Sequence, residues 1–324
     1  MLNSPTGVGK VLEKSPVTIS INELGFRESS DIRSAEIFAL GDSFTFGWGV
    51  NEQESWPGRL ETRLGRPIYN LGIHDASPKQ EYELLKYVLR QHGGKLRIRK
   101  LLWMIYEGND LEDDYSEEVR RYDASEDVPL ATGTLIDAAE RLLWSIKRQS
   151  IIHKLRHGQI TWKTSRDGGI SDPYTVDGVS LVYPLYHSQQ LGPRLFSSYY
   201  IDLAGKSADY VENHWYRAAL ESVFADMTSL ADEFDFEVAV ITAPSAARLH
   251  GPYFDDFPEI SERPHFLDFV IELSESAGFS TVDLYELLQP YAGNELLYFR
   301  DDDHFNHRGN ALTAELLEQE LFSR

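Results

Sequence analysis

Three short apolar runs in the first third of the chain each end in glycine or in small polar residues. The runs cover residues 36–40, 67–72 and 101–106, and predicted helices at 52–64 and about 77–91 lie between them. An uninterrupted apolar run of this length is typical of a buried strand. Alternation of strands and helices predicts a parallel sheet with right-handed crossovers and helices on both faces.

The same rhythm returns in the last third of the chain. The predicted order there is a helix at 215–233, a strand at 238–242, a helix at 266–277, a strand at 281–284 and a helix at 309–321. Together the two regions indicate a three-layer α/β/α domain, in which ligands bind at the carboxyl ends of the strands.

The regions outside this rhythm divide the chain further. Residues 1–34 have little periodicity and are interpreted as an N-terminal arm, and the main domain is assigned to residues 35–324. Residues from about 112 to 209 break the alternation and are interpreted as an inserted lid, with an acidic stretch at 112–118 and a helix at 136–155.

Charge and composition exclude several classes of function. With 31 basic and 52 acidic residues the formal net charge is -21, which would repel nucleic acids and anionic membrane surfaces. The absence of cysteine excludes a thiolate nucleophile and cysteine-ligated zinc. No metal or nucleotide motif occurs, so we expect neither a metal nor a cofactor. No run of about 18 apolar residues occurs, so we expect a soluble chain without membrane insertion.

Four loops carry residues suited to nucleophilic catalysis. Ser43 follows the first strand, Gly72 the second and Asn109 the third, and an aspartate-rich loop ending in His304 precedes the last helix. A serine hydroxyl is a weak nucleophile that needs an imidazole base, which a carboxylate in turn orients. Asp301 is three residues before His304 and can supply that carboxylate locally.

These four blocks, GDSF, NLG, GND and DDDH in that order, resemble the SGNH hydrolase superfamily, also called GDSL-type esterases and lipases. The resemblance implies a five-stranded, mostly parallel sheet of flavodoxin-like order. It also implies a serine hydrolase that cleaves a carboxylic ester through an acyl-enzyme on Ser43. His304 would be the general base and then the general acid.

The resemblance further assigns the supporting residues. The spacing in the class favours Asp301 as the residue that orients His304, with Asp302 as its rival, because residues 301–303 are all aspartate. The oxyanion hole would consist of the backbone N–H groups of Ser43 and Gly72 and the side-chain amide of Asn109. Each residue also has a structural interpretation, such as a helix cap at Ser43 or a turn at Gly72.

The expected substrate is a small-molecule or glycan ester, and His74, Tyr106 and Trp48 are candidates to line its pocket. Aromatic residues are also common in cores and lids, and a loop histidine can simply be solvated. Two other functions remain open: an O-acyltransferase or deacetylase acting on a glycan with the same residues, and a non-catalytic binding protein with a retained site.

The compartment also depends on the N-terminal arm. The chain as given is expected to be cytoplasmic. The stretch from Asn22 to Arg27 resembles one that follows a membrane anchor, or precedes the first block, in many bacterial relatives. A truncated N-terminus would therefore make the protein periplasmic or membrane-anchored.

Overall fold

A computed structural model describes residues 17–92, 96–111, 175–176, 179–180, 183–260 and 264–323. Its internal contacts divide the chain into two compact units. One unit joins Met1–Leu111 to Ser171–Arg324, and the other is Glu112–Ile170, which lies outside the described residues.

The first unit is built on a five-stranded sheet. Its strands are β1 (Ile37–Leu40), β2 (Ile68–Asn70), β3 (Lys100–Tyr106), β8 (Glu237–Ala243) and β9 (Ser280–Asp283). Their order in the sheet is β2-β1-β3-β8-β9, and every neighbouring pair is parallel. The predicted flavodoxin-like order is therefore confirmed, and the sheet is parallel throughout.

Helices connect these strands, and two short hairpins precede the second group of helices. The hairpins are β4 (Thr175–Val176) with β5 (Val179–Ser180), and β6 (Leu185–Tyr186) with β7 (Arg194–Leu195). The helices are α1 (Ser43–Phe46), α2 (Trp56–Leu64), α3 (Pro78–His92), α4 (Ser198–Ala204), α5 (Ala208–Glu212), α6 (Arg217–Phe234), α7 (Ala246–His250), α8 (His265–Ser276), α9 (Leu284–Ala292) and α10 (His307–Phe322).

The sheet is buried on both faces, as the three-layer prediction requires. Along β3, Leu101, Trp103 and Ile105 face a core that includes residues of α3, α6 and α8. The alternate side chains Leu102, Met104 and Tyr106 face a second core, which includes residues of α2, α9 and α10. Alternation along a strand sends successive side chains to opposite faces, so one apolar run supplies both cores.

Local capping explains where two of the predicted helices begin. Before α3, the Ser77 N–H donates to the Gln80 side chain at 3.0 Å, and the Gln80 N–H donates to the Ser77 hydroxyl at 3.4 Å. This reciprocal pair is the expected capping box. Before α10, the Asn306 side chain accepts hydrogen bonds from the N–H groups of Arg308 and Gly309.

Part of the region interpreted as an insertion belongs to the main unit. Leu191, Leu195, Phe196 and Ala204 are buried in the core on the side of α9 and α10. The boundary predicted near residue 209 is therefore too late, since the second unit ends at Ile170. The predicted helix at 136–155 and the acidic stretch at 112–118 lie outside the described residues.

Strand β1 lies between β2 and β3. The connection after β1 therefore leads to one side of β1 in the sheet, and the connection after β2 leads back to the other side. The loops after β1, β2 and β3 consequently meet at one edge, which is where doubly wound sheets bind ligands. Within the described ranges, no helix has the length and apolar character needed to cross a membrane.

Candidate active site

Ser43 is the first residue of the one-turn helix α1, directly after β1. Asp42 caps this helix, because its carboxylate accepts the Phe44 N–H at 2.9 Å. Gly41 has a φ of 152°, and a Cβ there would lie 2.3 Å from the Thr45 hydroxyl oxygen. Only glycine fits this turn, which aims the serine at the sheet edge. Ser43 is therefore not the helix cap, since Asp42 has that role.

The His304 ring lies between Ser43 and Asp302. Its Nε2 is 2.7 Å from the Ser43 hydroxyl oxygen, although the two residues are 261 positions apart in the sequence. Its Nδ1 is 2.5 Å from the Asp302 carboxylate, which also accepts the His304 backbone N–H at 2.9 Å. This arrangement has the order of a hydroxyl nucleophile, an imidazole base and an orienting carboxylate.

The choice of Asp301 as the orienting carboxylate is therefore corrected. The carboxylate at His304 Nδ1 is that of Asp302, its rival two residues before the histidine. Because the same oxygen also accepts the His304 N–H, the local turn fixes Asp302 at the ring.

The loop that carries His304 is closed by bonds at both ends. Tyr298 and Phe305 form an antiparallel bridge, and the Phe299 N–H donates to the His304 carbonyl at 3.0 Å. The Phe305 ring meets the Phe44 ring edge to face at 4.9 Å. These contacts fix the loop against α1, so the imidazole has a defined position.

Arg194 of β7 anchors the same loop from the other side. Its guanidinium forms a buried ion pair with Asp303 at 2.9 Å and donates to the Asp302 carbonyl at 3.0 Å. Sequence reasoning missed this residue, which lies more than 100 positions before the loop and within the presumed insertion. No local motif around Arg194 could have revealed it.

Carboxylates surround the His304 imidazole. Burial acts to lower the pKa of His304, but the charge and hydrogen bond of Asp302, followed by the charges of Asp42 and Asp303, outweigh it and raise the pKa above 6.5. Burial acts to raise the pKa of Asp302, but His304 and the Trp48 indole N–H outweigh it and lower the pKa to about 2. Asp302 is therefore ionised at neutral pH and can stabilise an imidazolium.

Asp42 connects the first and third loops. It is fully buried, and burial raises its pKa above the ordinary value of 3.8. The Asn109 side chain donates a hydrogen bond to its carboxylate, and the Ser43 hydroxyl lies 3.4 Å from it. Asn109 is thereby held near Ser43, and its place in an oxyanion hole stays a prediction.

Gly72 does not offer the N–H group expected of it. That N–H donates to the Asn70 side chain at 2.8 Å, and Asn70 in turn donates to the Thr45 carbonyl at 2.8 Å. A Cβ on Gly72 would lie 2.2 Å from the Phe46 nitrogen. The glycine is needed for a close approach to α1, and its predicted role as an oxyanion donor is corrected.

Other backbone donors occur in the same loop and in α1. The N–H groups of Ser43, His74 and Asp75 have no acceptor among the described residues. Asp75 has a φ of 61°, a left-handed conformation that is uncommon outside glycine and clusters at functional sites.

Two of the three predicted pocket residues are at the site. The His74 ring lies 4.5 Å from the Trp48 ring and 6.3 Å from that of His304, as measured between centroids. The Trp48 ring also lies 6.2 Å from the His304 ring, a contact that the sequence did not indicate.

Tyr106, the third predicted pocket residue, is only 1% exposed, with its ring 4.1 Å from that of Phe44. Its assignment to the substrate pocket is corrected, because it forms part of the core beneath α1.

Comparisons with known proteins give a structural likeness only. No family model matches the sequence, and no curated protein matches at a significant level. Solved structures are similar over most of their length. A member of the lipolytic protein G-D-S-L family from Veillonella parvula DSM 2008 has a TM-score of 0.40 and 12% identity, over 90% of this chain and 99% of that one.

Two esterase structures are similar to a comparable degree. The acetyl xylan esterase AlAXEase has a TM-score of 0.44 and 11% identity, over 88% of this chain and 99% of that chain. AlinE4, an SGNH-hydrolase family esterase, has a TM-score of 0.38 and 14% identity, over 90% and 94%. The chain is thus similar in its α/β fold to structures of G-D-S-L and SGNH hydrolases.

Proposed function

We propose that this protein is a serine hydrolase that cleaves carboxylic esters through an acyl-enzyme on Ser43. The contact from the Ser43 hydroxyl to His304 Nε2, at 2.7 Å, carries the proposal. The contact from His304 Nδ1 to Asp302 completes it at 2.5 Å. A hydroxyl, an imidazole and a carboxylate in this order activate the hydroxyl for attack on a carbonyl.

In the first half of the reaction, the Ser43 oxygen forms a bond to the ester carbonyl carbon, and its proton moves to His304 Nε2. The negative charge of Asp302 stabilises the imidazolium. As the tetrahedral intermediate collapses, the bond to the alcohol oxygen breaks and His304 gives that oxygen its proton. In the second half, a water molecule repeats these steps on the acyl-enzyme and releases the free acid.

The negative charge on the carbonyl oxygen needs fixed donors. The proposed donors are the Ser43 N–H, the Asn109 amide and, in the loop after β2, the N–H groups of His74 and Asp75. This set replaces Gly72, whose N–H is already donated to Asn70. Asn109 suits the role because Asp42 accepts one of its amide hydrogens and thereby orients the other.

The charges at the site favour an uncharged substrate. Asp42, Asp75 and Asp302 lie near the proposed position of the ester, and the whole chain has a formal net charge of -21. An anionic ester would be repelled as it approaches. A neutral ester, such as an O-acetylated sugar or a simple alkyl ester, avoids this repulsion.

The decisive experiment measures hydrolysis of p-nitrophenyl esters from acetyl to palmitoyl by the wild type and by Ser43→Ala. We expect activity in the wild type and its loss in the variant, and labelling of Ser43 alone by a fluorophosphonate. Ser29→Ala is a matched control, because Ser29 is an exposed serine of the arm. Undiminished hydrolysis by Ser43→Ala would overturn the mechanism.

The nature of the acceptor needs a second measurement, because the same residues can transfer an acyl group to a sugar. With an acyl ester and an oligosaccharide supplied together, hydrolysis gives free acid and leaves the sugar unmodified. An acylated oligosaccharide as the main product would instead identify an acyltransferase.

A further inference from the structure

Two adjacent charged residues of the N-terminal arm reach the loops that carry the candidate active site. Arg27 is 1% exposed and Glu28 is 8% exposed, although both belong to a segment with little regular structure. Arginine and glutamate are seldom buried to this degree unless their polar groups have partners. Their partners indicate what the arm does.

The two terminal nitrogens of the Arg27 guanidinium donate to backbone carbonyls, whereas its buried Nε has no hydrogen-bond partner among the described residues. One terminal nitrogen donates to the Gly47 oxygen at 2.5 Å and to the Phe46 oxygen at 3.1 Å. The other donates to the Val50 oxygen at 2.5 Å and to the Thr18 oxygen at 3.3 Å. None of the ion pairs within the described ranges includes Arg27, and burial lowers its pKa below 12.5.

Three of these four carbonyls belong to the end of the nucleophile helix and the turn after it. Helix α1 begins at Ser43 and ends at Phe46, so it has a single turn. The last carbonyls of any helix lack partners within the helix, and a cation there also complements the helix dipole. The N–H groups of Gly47 and Trp48 both donate to the Ser43 carbonyl, at 3.1 and 3.0 Å, so a shift of this turn acts directly on Ser43.

Glu28 makes the equivalent connection to the second loop. Its carboxylate accepts the Asn70 backbone N–H at 3.0 Å. The Asn70 side chain then bridges the two loops, since it donates to the Thr45 carbonyl and accepts the Gly72 N–H. Adjacent arm residues thus hold α1 and the loop after β2 in one hydrogen-bonded network.

We propose that Arg27, supported by Glu28, is a positioning residue that sets the place of the Ser43 nucleophile relative to His304. The proposal deepens the function proposed above and rests on it, because it takes Ser43 to be the reacting group. It assigns the arm a part in catalysis that its lack of regular structure does not suggest. A misplacement of about 1 Å can lower a rate by roughly 100-fold.

The test compares Arg27→Lys and Arg27→Ala with the wild type at a temperature where circular dichroism shows each to be folded. Lysine keeps the charge but cannot bridge the Phe46, Gly47 and Val50 oxygens with one planar group. We expect kcat for p-nitrophenyl acetate, and the rate of fluorophosphonate labelling, to fall by about 10- to 100-fold with KM nearly unchanged. Methylguanidinium added to Arg27→Ala should restore part of both rates.

Arg33→Ala is the matched control. Arg33 belongs to the same arm, but its side chain is 64% exposed and pairs only with the exposed Asp31 among its described ion pairs. We expect wild-type rates from this variant. If Arg27→Ala does not fold, the test rests on Arg27→Lys, because lysine keeps the positive charge and fills most of the space of the arginine side chain.

Two results would overturn the proposal. One is wild-type kcat and labelling in folded Arg27→Lys, and the other is a loss of activity that only matches the loss of folded protein, without rescue by methylguanidinium. Ser43→Ala separates this failure from failure of the proposed function. If Ser43→Ala is inactive while the Arg27 variants are not, only the positioning role is refuted.

Discussion

The carboxylate of Asp302 lies 2.5 Å from Nδ1 of His304 and also accepts the backbone N–H of the same residue. One aspartate thus fixes both the ring and the main chain of the candidate base. Because Asp302 is two residues before His304, this contact is made within a single tight turn. The pair of neighbours Asp301 and Asp302 therefore offers a direct test of which carboxylate acts.

Asp302→Asn should lower kcat by about 1,000- to 10,000-fold, because an amide favours the wrong tautomer of the imidazole and cannot stabilise its charged form. Asp301→Asn is the matched control and should retain most of the activity. Steady-state kinetics on p-nitrophenyl acetate measures both. The reverse ranking of the two variants would restore Asp301 as the orienting residue.

Asn109→Ala should lower kcat by about 100- to 1,000-fold without unfolding the protein, because one donor to the oxyanion is removed. The exposed Asn213, at the end of α5, supplies a control in Asn213→Ala. Kinetics and circular dichroism on the same samples distinguish catalysis from folding. Near-wild-type turnover by Asn109→Ala would remove this residue from the oxyanion hole.

The acid limb of the pH profile should depend on Asp42. The neutral form of His304 is the base, so kcat/KM rises as the pH passes through its pKa. The negative charge of Asp42 helps to raise that pKa. Asp42→Asn removes the charge, so the acid limb should move to lower pH, whereas Asp31→Asn on the surface should leave it in place. A shift to higher pH would contradict this electrostatic account.

His250 should make the folded state sensitive to mild acid. Its Nδ1 contacts the Ala292 carbonyl at 3.0 Å and its Nε2 accepts the Leu297 N–H at 3.1 Å, and burial lowers its pKa from 6.5 to about 3. At a pH between these two pKa values, His250 is protonated in the unfolded chain and neutral in the folded chain. The contribution of His250 is therefore complete above pH 6.5 and declines as the pH falls toward 3, by at most about 1.4 kcal/mol per pH unit.

Urea unfolding at pH 7, 6 and 5 measures this effect in the wild type and in His250→Gln. The difference in the free energy of unfolding between the two should shrink as the pH falls, because only the wild type has the titrating group. A difference that stays constant over this range would show that His250 does not titrate on unfolding.

The sheet and the contact between Ser43 and His304 could be predicted from the sequence, but from signals of different kinds. Apolar runs such as that at 101–106 mark buried strands, and the residues directly after them must lie at the strand ends. Ser43 is in such a loop, whereas His304 lies between α9 and α10 and does not follow a strand. Its pairing with Ser43 is predicted from the resemblance of the four blocks, which requires no knowledge of individual contacts.

The corrections concern features that no local pattern encodes. Three consecutive aspartates give no sign of which one faces the imidazole, since this depends on the torsion angles of the turn. The Gly72 N–H is taken by the side chain of Asn70, and a sequence does not show where a side chain points. Arg194 meets Asp303 across 109 positions, so only the folded chain reveals the ion pair.

The separation of 261 positions between Ser43 and His304 also sets an order of events during synthesis. At about 5 to 20 residues per second, the ribosome adds the histidine on the order of 10 to 50 seconds after the serine. Throughout that interval, the nascent chain carries an ordinary alcohol at position 43. When α10 docks, the Asn310 side chain accepts the Trp56 N–H at 2.9 Å, and His304 in the preceding loop reaches its place beside Ser43. Reactivity toward a fluorophosphonate would thus appear only as the last helix reaches its place, and would report completion of the fold.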